Sequence, residues 1–275
     1  MSVELLRISP LLFITISFLY GVIIGSFLNV YIYRFHTGKS LSGRSHCLSC
    51  GTRLSWYELL PLVSYLGLRG KCRTCCSLIP SRYFIVELLT GVLFAATSLI
   101  SNDLIEILYL WIVSALLVVI AVYDIRHFII PDALTFSLVG LIALWTLYRF
   151  WLGVPLVTLG TDIFAALAGV GFFFFLWFIS HGRWLGFGDV KLAFPLGLLV
   201  GAPYVFSMIV TSFWIGAVVS VTLVVLSKFE RGKLYLRFAT PKLTIKSVVP
   251  FAPFLIAGCL LVLFTHLNVL TLFTF

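Results

Sequence analysis

Long apolar runs alternate with short polar breaks along the whole chain. The runs fall at Leu11–Tyr33, Tyr83–Ile100, Leu104–Tyr123, Ala133–Trp151, Ile163–Ser180, Val190–Val200, Tyr204–Ser227 and Val248–Thr271. A hydrocarbon core about 30 Å thick takes about 20 apolar residues per helix, so the pattern predicts about eight transmembrane helices, the sixth of them short. The first run leads directly into Arg34 with no small-residue cleavage site behind it, and reads as a retained span. Polar residues concentrate in one break, Phe35 to Arg82. The expectation is an all-α polytopic membrane protein in three parts: a first span over 1–34, a small cytoplasmic insert over 35–82, and a seven-span membrane domain over 83–275.

Composition supports this reading. The 275 residues are 61% hydrophobic and 11% charged, against about 45–50% and about 25% in soluble domains. A soluble fold, a disordered chain, a coiled coil and a collagen-like fibre are all excluded on that ground. The net charge of +9 is explained by where the charge sits. With the N-terminus outside, the inner segments carry Arg34 to Arg82, Arg126, Arg183, Lys191 and the run Lys228 to Lys246, and only Arg7 and Arg149 fall outside. That bias is the positive-inside rule. Glu4, Asp103, Glu106 and Asp162 fall on the outer side. The basic balance therefore predicts orientation and contact with anionic lipid, not nucleic acid.

The insert holds Cys47-Leu-Ser-Cys50 and Cys72-Arg-Thr-Cys75, separated by residues 51–71. Two C-x-x-C turns at this separation are a zinc signature, each turn aiming two thiolates at one point of a tetrahedron. Two disulfides are the alternative, which a reducing cytoplasm disfavours. Cys76 directly follows Cys75 and offers a second choice of ligand. His46 reads as a neighbour, and Cys259 in the last span as a small buried apolar residue. Four thiolates close the coordination shell, so the zinc would be structural, and its binding would supply the folding free energy of so small a module.

Ionisable groups in or at the edge of the bilayer are costly and point to function. Glu87, Asp124, Asp132 and Asp189 qualify. Asp132 follows Pro131 at the start of a span and is expected to cap the helix or complement its dipole. Asp189 could likewise cap the sixth helix, and Asp124 could pair with Arg126 or His127 as an interfacial charge. Both fall on the same cytoplasmic face and form a candidate catalytic pair: two neighbouring carboxyls share a proton, so that one activates water and the other acts as acid. Gly186 and Gly188 beside Asp189 let the backbone bend and leave room for an extended substrate with a small residue before the cut. Residues and spacing alone lead to a membrane aspartic hydrolase.

The motifs in combination resemble the prepilin peptidases, or type IV prepilin-like leader peptidases, over nearly the whole chain. GSFLNVYIYR at Gly25–Arg34 is similar to their first-span signature. HCLSC, LSWYELLPLVSYLGLRGKCRTC and RYFIVELLTG are similar to their cytoplasmic module, and YDIRHFIIPDALT and GFGDVKLAFPLG to their two aspartate motifs. The resemblance implies an enzyme of the bacterial inner (cytoplasmic) membrane with its active site facing the cytoplasm. It implies cleavage of basic leaders from type IV prepilins or pseudopilins, with Asp124 and Asp189 catalytic, Gly186 and Gly188 in the active-site loop, and Cys47, Cys50, Cys72 and Cys75 on zinc. It also implies methylation of the new N-terminus with S-adenosylmethionine, for which no glycine-rich nucleotide fingerprint stands in the chain. Phe194 and Pro195 depart from the small residues expected in the sixth span. The competing readings are a general intramembrane aspartic protease, which needs no cysteine module, and a transporter or assembly scaffold, which predicts matching half-repeats that are not evident.

Overall fold

The computed structural model describes residues 9–35, 43–229 and 249–272. The basic segment from Arg231 to Lys246, together with Glu4 and Arg7, lies outside them. The described residues form helices and turns with two isolated β-bridges in the cysteine module. In chain order the helices are α1 (Pro10–Arg34), α2 (Val63–Gly67), α3 (Arg82–Ile100), α4 (Leu104–His127), α5 (Asp132–Trp151), α6 (Leu156–Ser180), α7 (Phe187–Val200), α8 (Val205–Phe229) and α9 (Ala252–Thr265), with short 3-10 turns at Trp56–Leu59, Ala202–Tyr204 and Val269–Leu272.

The ends of these helices follow local chemistry. Ser9 accepts the Leu12 N–H at the start of α1 and Pro10 opens the helix, where its missing N–H costs nothing. Arg34 closes α1, and Arg126 and His127 close α4, where the partial negative charge of a helix C-terminus favours cations. His181, at φ 49°, ends α6 in the left-handed conformation.

Among the described residues, α1, α3, α4, α5, α6 and the stretch Ala202–Val225 are long and apolar enough to cross a membrane. The chain is a multi-pass, all-helical membrane protein. Helices α7 and α9 have 14 residues each, about 21 Å at 1.5 Å per residue, short of a hydrocarbon core about 30 Å thick. The sixth predicted run thus forms a helix that starts earlier than its apolar residues do, at Phe187, and takes Asp189 into its first turn. The helix continues through Pro195.

The chain divides into two compact units, 1–119 and 120–275. In the first, α1 lies along α3 at close range. A Cβ at Gly21 would stand 2.7 Å from the Thr90 carbonyl oxygen, and one at Gly91 would stand 2.6 Å from Val22 Cγ2. Only glycine permits that approach, the device by which membrane helices replace a hydrophobic driving force with close packing. Phe94 and Trp111 stack with ring centroids 5.0 Å apart. In the second unit α7 is central, packed by α5, α6 and α9, with Leu192, Ala193 and Leu196 fully buried.

Candidate active site and metal centre

Two clusters of chemistry-bearing side chains stand out, each within one unit. In the second unit, Tyr123-Asp124 open the last turn of α4 and α7 begins on Phe187-Gly188-Asp189. Both aspartates are buried, and both line one cleft of about 440 Å³ with Ile130, Pro131, Gly186 and Gly188. Each carboxyl is held at a helix N-terminus, where backbone N–H groups lack helical partners. Asp124 accepts the N–H of Ala252, the first residue of α9. Asp189 Oδ2 accepts the Gly186 N–H at 3.2 Å, and Asp189 Oδ1 is buried without a hydrogen-bond partner. A buried, unpaired carboxyl oxygen is costly, and its persistence beside a second carboxyl marks a place where a reacting group can dock.

Asp132 does something different from what its position suggested. It is the first residue of α5, after Pro131 at the cap position, and its side chain makes no cap bond. It is mostly exposed, its dipole placement in the first turn holds, and it forms an ion pair with Lys191 of α7. Lys191 was thus a site neighbour that the sequence pattern concealed, since 59 positions separate the partners. The two glycines also differ. Gly186 is exposed, whereas a Cβ on Gly188 would meet Ile130 Cβ, Cγ1 and Cδ1 at 3.1–3.2 Å. The space at Gly188 is taken by Ile130, so only Gly186 leaves open room beside Asp189.

In the first unit the two C-x-x-C turns are copies of one another. Cys47 N–H donates to Thr52 O (2.9 Å) and Gly51 N–H to Cys47 O (3.0 Å). Cys72 N–H donates to Ser77 O (2.8 Å) and Cys76 N–H to Cys72 O (3.0 Å). Antiparallel bridges close each turn, His46 with Arg53 and Lys71 with Leu78. Every partner is displaced by the same step along the chain, so Cys76 occupies the place of Gly51. Both have positive φ, 73° at Gly51 and 56° at Cys76. Cys76 is therefore the left-handed residue of its turn, and the converging sulfurs are those of Cys47, Cys50, Cys72 and Cys75.

Those four sulfurs all lie within 4.8 Å of one another, Cys47 and Cys75 at 3.8 Å. A tetrahedron with Zn–S bonds of about 2.3 Å has sulfurs about 3.8 Å apart, so the donor set and its spacing fit a zinc ion. The backbone N–H groups of Cys50 and Ser49 hold the Cys47 thiol down to about 6, which favours the ligating thiolate. Thr52 and Ser77 hold equivalent places in the two turns. Thr52 Oγ1 is 3.2 Å from Cys50 Sγ and Ser77 Oγ is 3.1 Å from Cys75 Sγ. Neither hydroxyl belongs to the C-x-x-C pattern, so only the folded turns bring them to notice.

Comparison with known proteins covers both units. Residues 19–100 match the bacterial peptidase A24 N-terminal domain and residues 111–221 match the type IV leader peptidase family. The chain is similar to the prepilin leader peptidase/N-methyltransferase of Myxococcus xanthus, 36% identical over 76% of this chain and 63% of that protein. The proteins of the same name from Aeromonas hydrophila (30% identical, 93% of this chain, 92% of that protein) and Bacillus subtilis (29% identical, 90% and 92%) are similar along nearly their whole length. No solved structure matches the chain.

Proposed function

Since this chain belongs to the type IV leader peptidase family, we propose that it removes basic leader peptides from type IV prepilins or pseudopilins and then methylates the new amino terminus. The observation that carries the peptidase reading is the pair Asp124 and Asp189. Both are buried, each is anchored at a helix N-terminus, and they share one cleft with an oxygen of Asp189 left unpaired.

Two such carboxyls hold one proton between them, because two buried neighbouring anions repel. The ionised member takes a proton from water as the water oxygen attacks the scissile carbonyl, and the protonated member gives its proton to the carbonyl oxygen. The tetrahedral species then collapses. Its C–N bond breaks, the leaving amine collects the proton held by the first carboxyl, and the hydroxyl proton returns to the second. Gly186, exposed and without a side chain, lets an extended leader backbone lie beside Asp189. The Asp132–Lys191 ion pair ties α5 to α7 at the rim of the same cleft.

The basic inner segments support a site at the cytoplasmic face of the bacterial inner membrane, close to anionic lipid and to the basic leader. Cys47, Cys50, Cys72 and Cys75 would hold a zinc ion whose contribution is to tie the two turns together, a structural role set by its four thiolates. S-Adenosylmethionine would supply an electrophilic methyl group for the second activity. Intact-mass analysis of a prepilin incubated with the purified protein tests both activities. Loss of the leader mass supports the peptidase and addition of one methyl supports the transferase, while an unchanged mass rejects both.

A further inference from the structure

A cavity of about 510 Å³ opens in the first unit, lined among others by Asn29, Tyr33, Tyr65, Tyr83 and the carboxyl of Glu87. Its volume falls within the range of about 300–1,000 Å³ typical of small-molecule sites. Asp124 and Asp189 belong to the other unit, so leader hydrolysis does not account for it.

Glu87 is buried on α3, where α1 comes close enough that a Cβ on Gly25 would stand 2.8 Å from Glu87 Cα. Its Oε2 accepts the Leu62 N–H at 2.8 Å. Leu62 reaches that position at a cost. Its φ of 58° and ψ of −50°, with Val63 N–H bonded to Pro61 O at 2.6 Å, form a γ-turn of the rare positive-φ hand. A leucine there is strained by about 1–3 kcal/mol, and strain of this kind persists where the surrounding structure enforces it, commonly at functional sites. One turn earlier on α3, the Tyr83 carbonyl accepts Asn29 Nδ2 of α1 at 3.0 Å.

Transfer of a methyl group from a sulfonium to an amine asks for three things that this cavity offers. The sulfonium is a cation, which aromatic rings and a carboxylate attract, and Tyr33, Tyr65, Tyr83 and Glu87 line the cavity. The amine must lose a proton before its lone pair can attack, which needs a base within reach. The reacting groups must be held in line in a partly dry site. We propose that this cavity is the methyl-transfer site: it takes a methyl donor of the S-adenosylmethionine class together with the new pilin amino terminus, and Glu87 receives the ammonium and its proton. The inference rests on the methyltransferase reading above.

In that step Glu87 takes one proton from the ammonium. The freed lone pair forms the C–N bond as the C–S bond breaks, and the bonding pair stays on sulfur to give a neutral thioether. The positive charge passes from sulfur to the methylated nitrogen, and the proton on Glu87 goes to water.

The test uses the full chain, zinc-loaded in detergent, with equilibrium dialysis of S-adenosylhomocysteine, zinc content and intact mass of the processed pilin as readouts. Glu87→Gln keeps an acceptor for the Leu62 N–H but removes the base. It should remove leaders, retain zinc, bind S-adenosylhomocysteine, and methylate about 10²–10⁴-fold more slowly, the contribution of one general base. Ser64→Trp, which fills the cavity from α2 and leaves Glu87 in place, should lose S-adenosylhomocysteine binding while leader removal continues. Methylation at the normal rate in Glu87→Gln, or undiminished binding in Ser64→Trp, overturns the assignment. Should Glu87→Gln lose zinc and leader removal together, the binding result for Ser64→Trp decides. If the unaltered protein removes leaders and never adds a methyl, the methyltransferase reading itself fails, an outcome distinct from a methylating protein whose variants also methylate.

Discussion

Asp189 accepts the Gly186 N–H through one carboxyl oxygen at 3.2 Å and buries the other without a partner. One oxygen thus serves the helix and the other is open to the proposed chemistry, and two substitutions separate these roles. Asp189→Asn keeps an oxygen for Gly186, so its thermal stability should match the parent. Asp189→Ala loses the bond and should be less stable by about 1 kcal/mol, the net value of one such hydrogen bond. Both should fail to remove leaders. Thermal unfolding in detergent beside a cleavage assay reads the two roles apart.

Asp132 forms its ion pair with Lys191 on a mostly exposed side chain. Exposed pairs contribute about 0.2–1 kcal/mol. Asp132→Asn should therefore retain leader cleavage within about fivefold, given that about 1.4 kcal/mol corresponds to a factor of ten. Lys191→Met should behave alike, and the double variant should cost no more than either single one. Initial cleavage rates of the three variants check this, and loss of activity as deep as at Asp189 would move Asp132 into the catalytic group.

The purified protein should carry about one equivalent of zinc, as a closed tetrahedral thiolate site requires. Serine at Cys47, Cys50, Cys72 or Cys75 should lose the metal. Cys76→Gly should keep it with stability undiminished, because glycine takes the positive φ of 56° at that place without strain. Metal content of the five variants checks the ligand set, and zinc loss in Cys76→Gly with retention in Cys75→Ser would reverse it.

The helices were legible because apolar runs, and at α1 the Ser9 hydroxyl that accepts the Leu12 N–H and the closing Arg34, are local signals. The cysteine cluster was legible for the same reason, since each C-x-x-C turn is complete within a few residues. What stayed hidden depends on contacts distant in the chain. Asp132 looked like a cap because its partner Lys191 lies on another helix. Gly188 looked like open space because nothing nearby in the chain announces Ile130. The choice between Cys75 and Cys76 needed the backbone conformation, which the cysteine spacing does not determine. The N–H that the Asp124 carboxyl accepts comes from Ala252 of α9, far along the chain.

Gly188 and Ile130 should be energetically coupled. Gly188→Val drives a branched side chain into Ile130, already 3.1 Å from an added Cβ, and should cost about 1–3 kcal/mol by overpacking. Ile130→Ala in the same chain should recover part of that loss. Gly186→Ser, with an ordinary 3.5 Å separation to Asp189 Oδ2 and a good cap residue, should leave stability within about 0.5 kcal/mol. Unfolding midpoints of the parent, Gly188→Val, Ile130→Ala and the double variant measure the coupling, and additive costs would show that Ile130 does not fill the space at Gly188.

The central claim is that Asp124 and Asp189 together cleave the leader. The most direct measurement is the intact mass of a prepilin after incubation with the unaltered protein, Asp124→Asn and Asp189→Asn, all three carrying equal zinc. The account predicts a product shortened by its basic leader, cut just outside the apolar segment, with the unaltered protein, and full-length substrate with either variant, a loss of at least about 10²-fold for a missing acid or base. A shortened product from either variant, or a cut deep within the apolar segment, would contradict it.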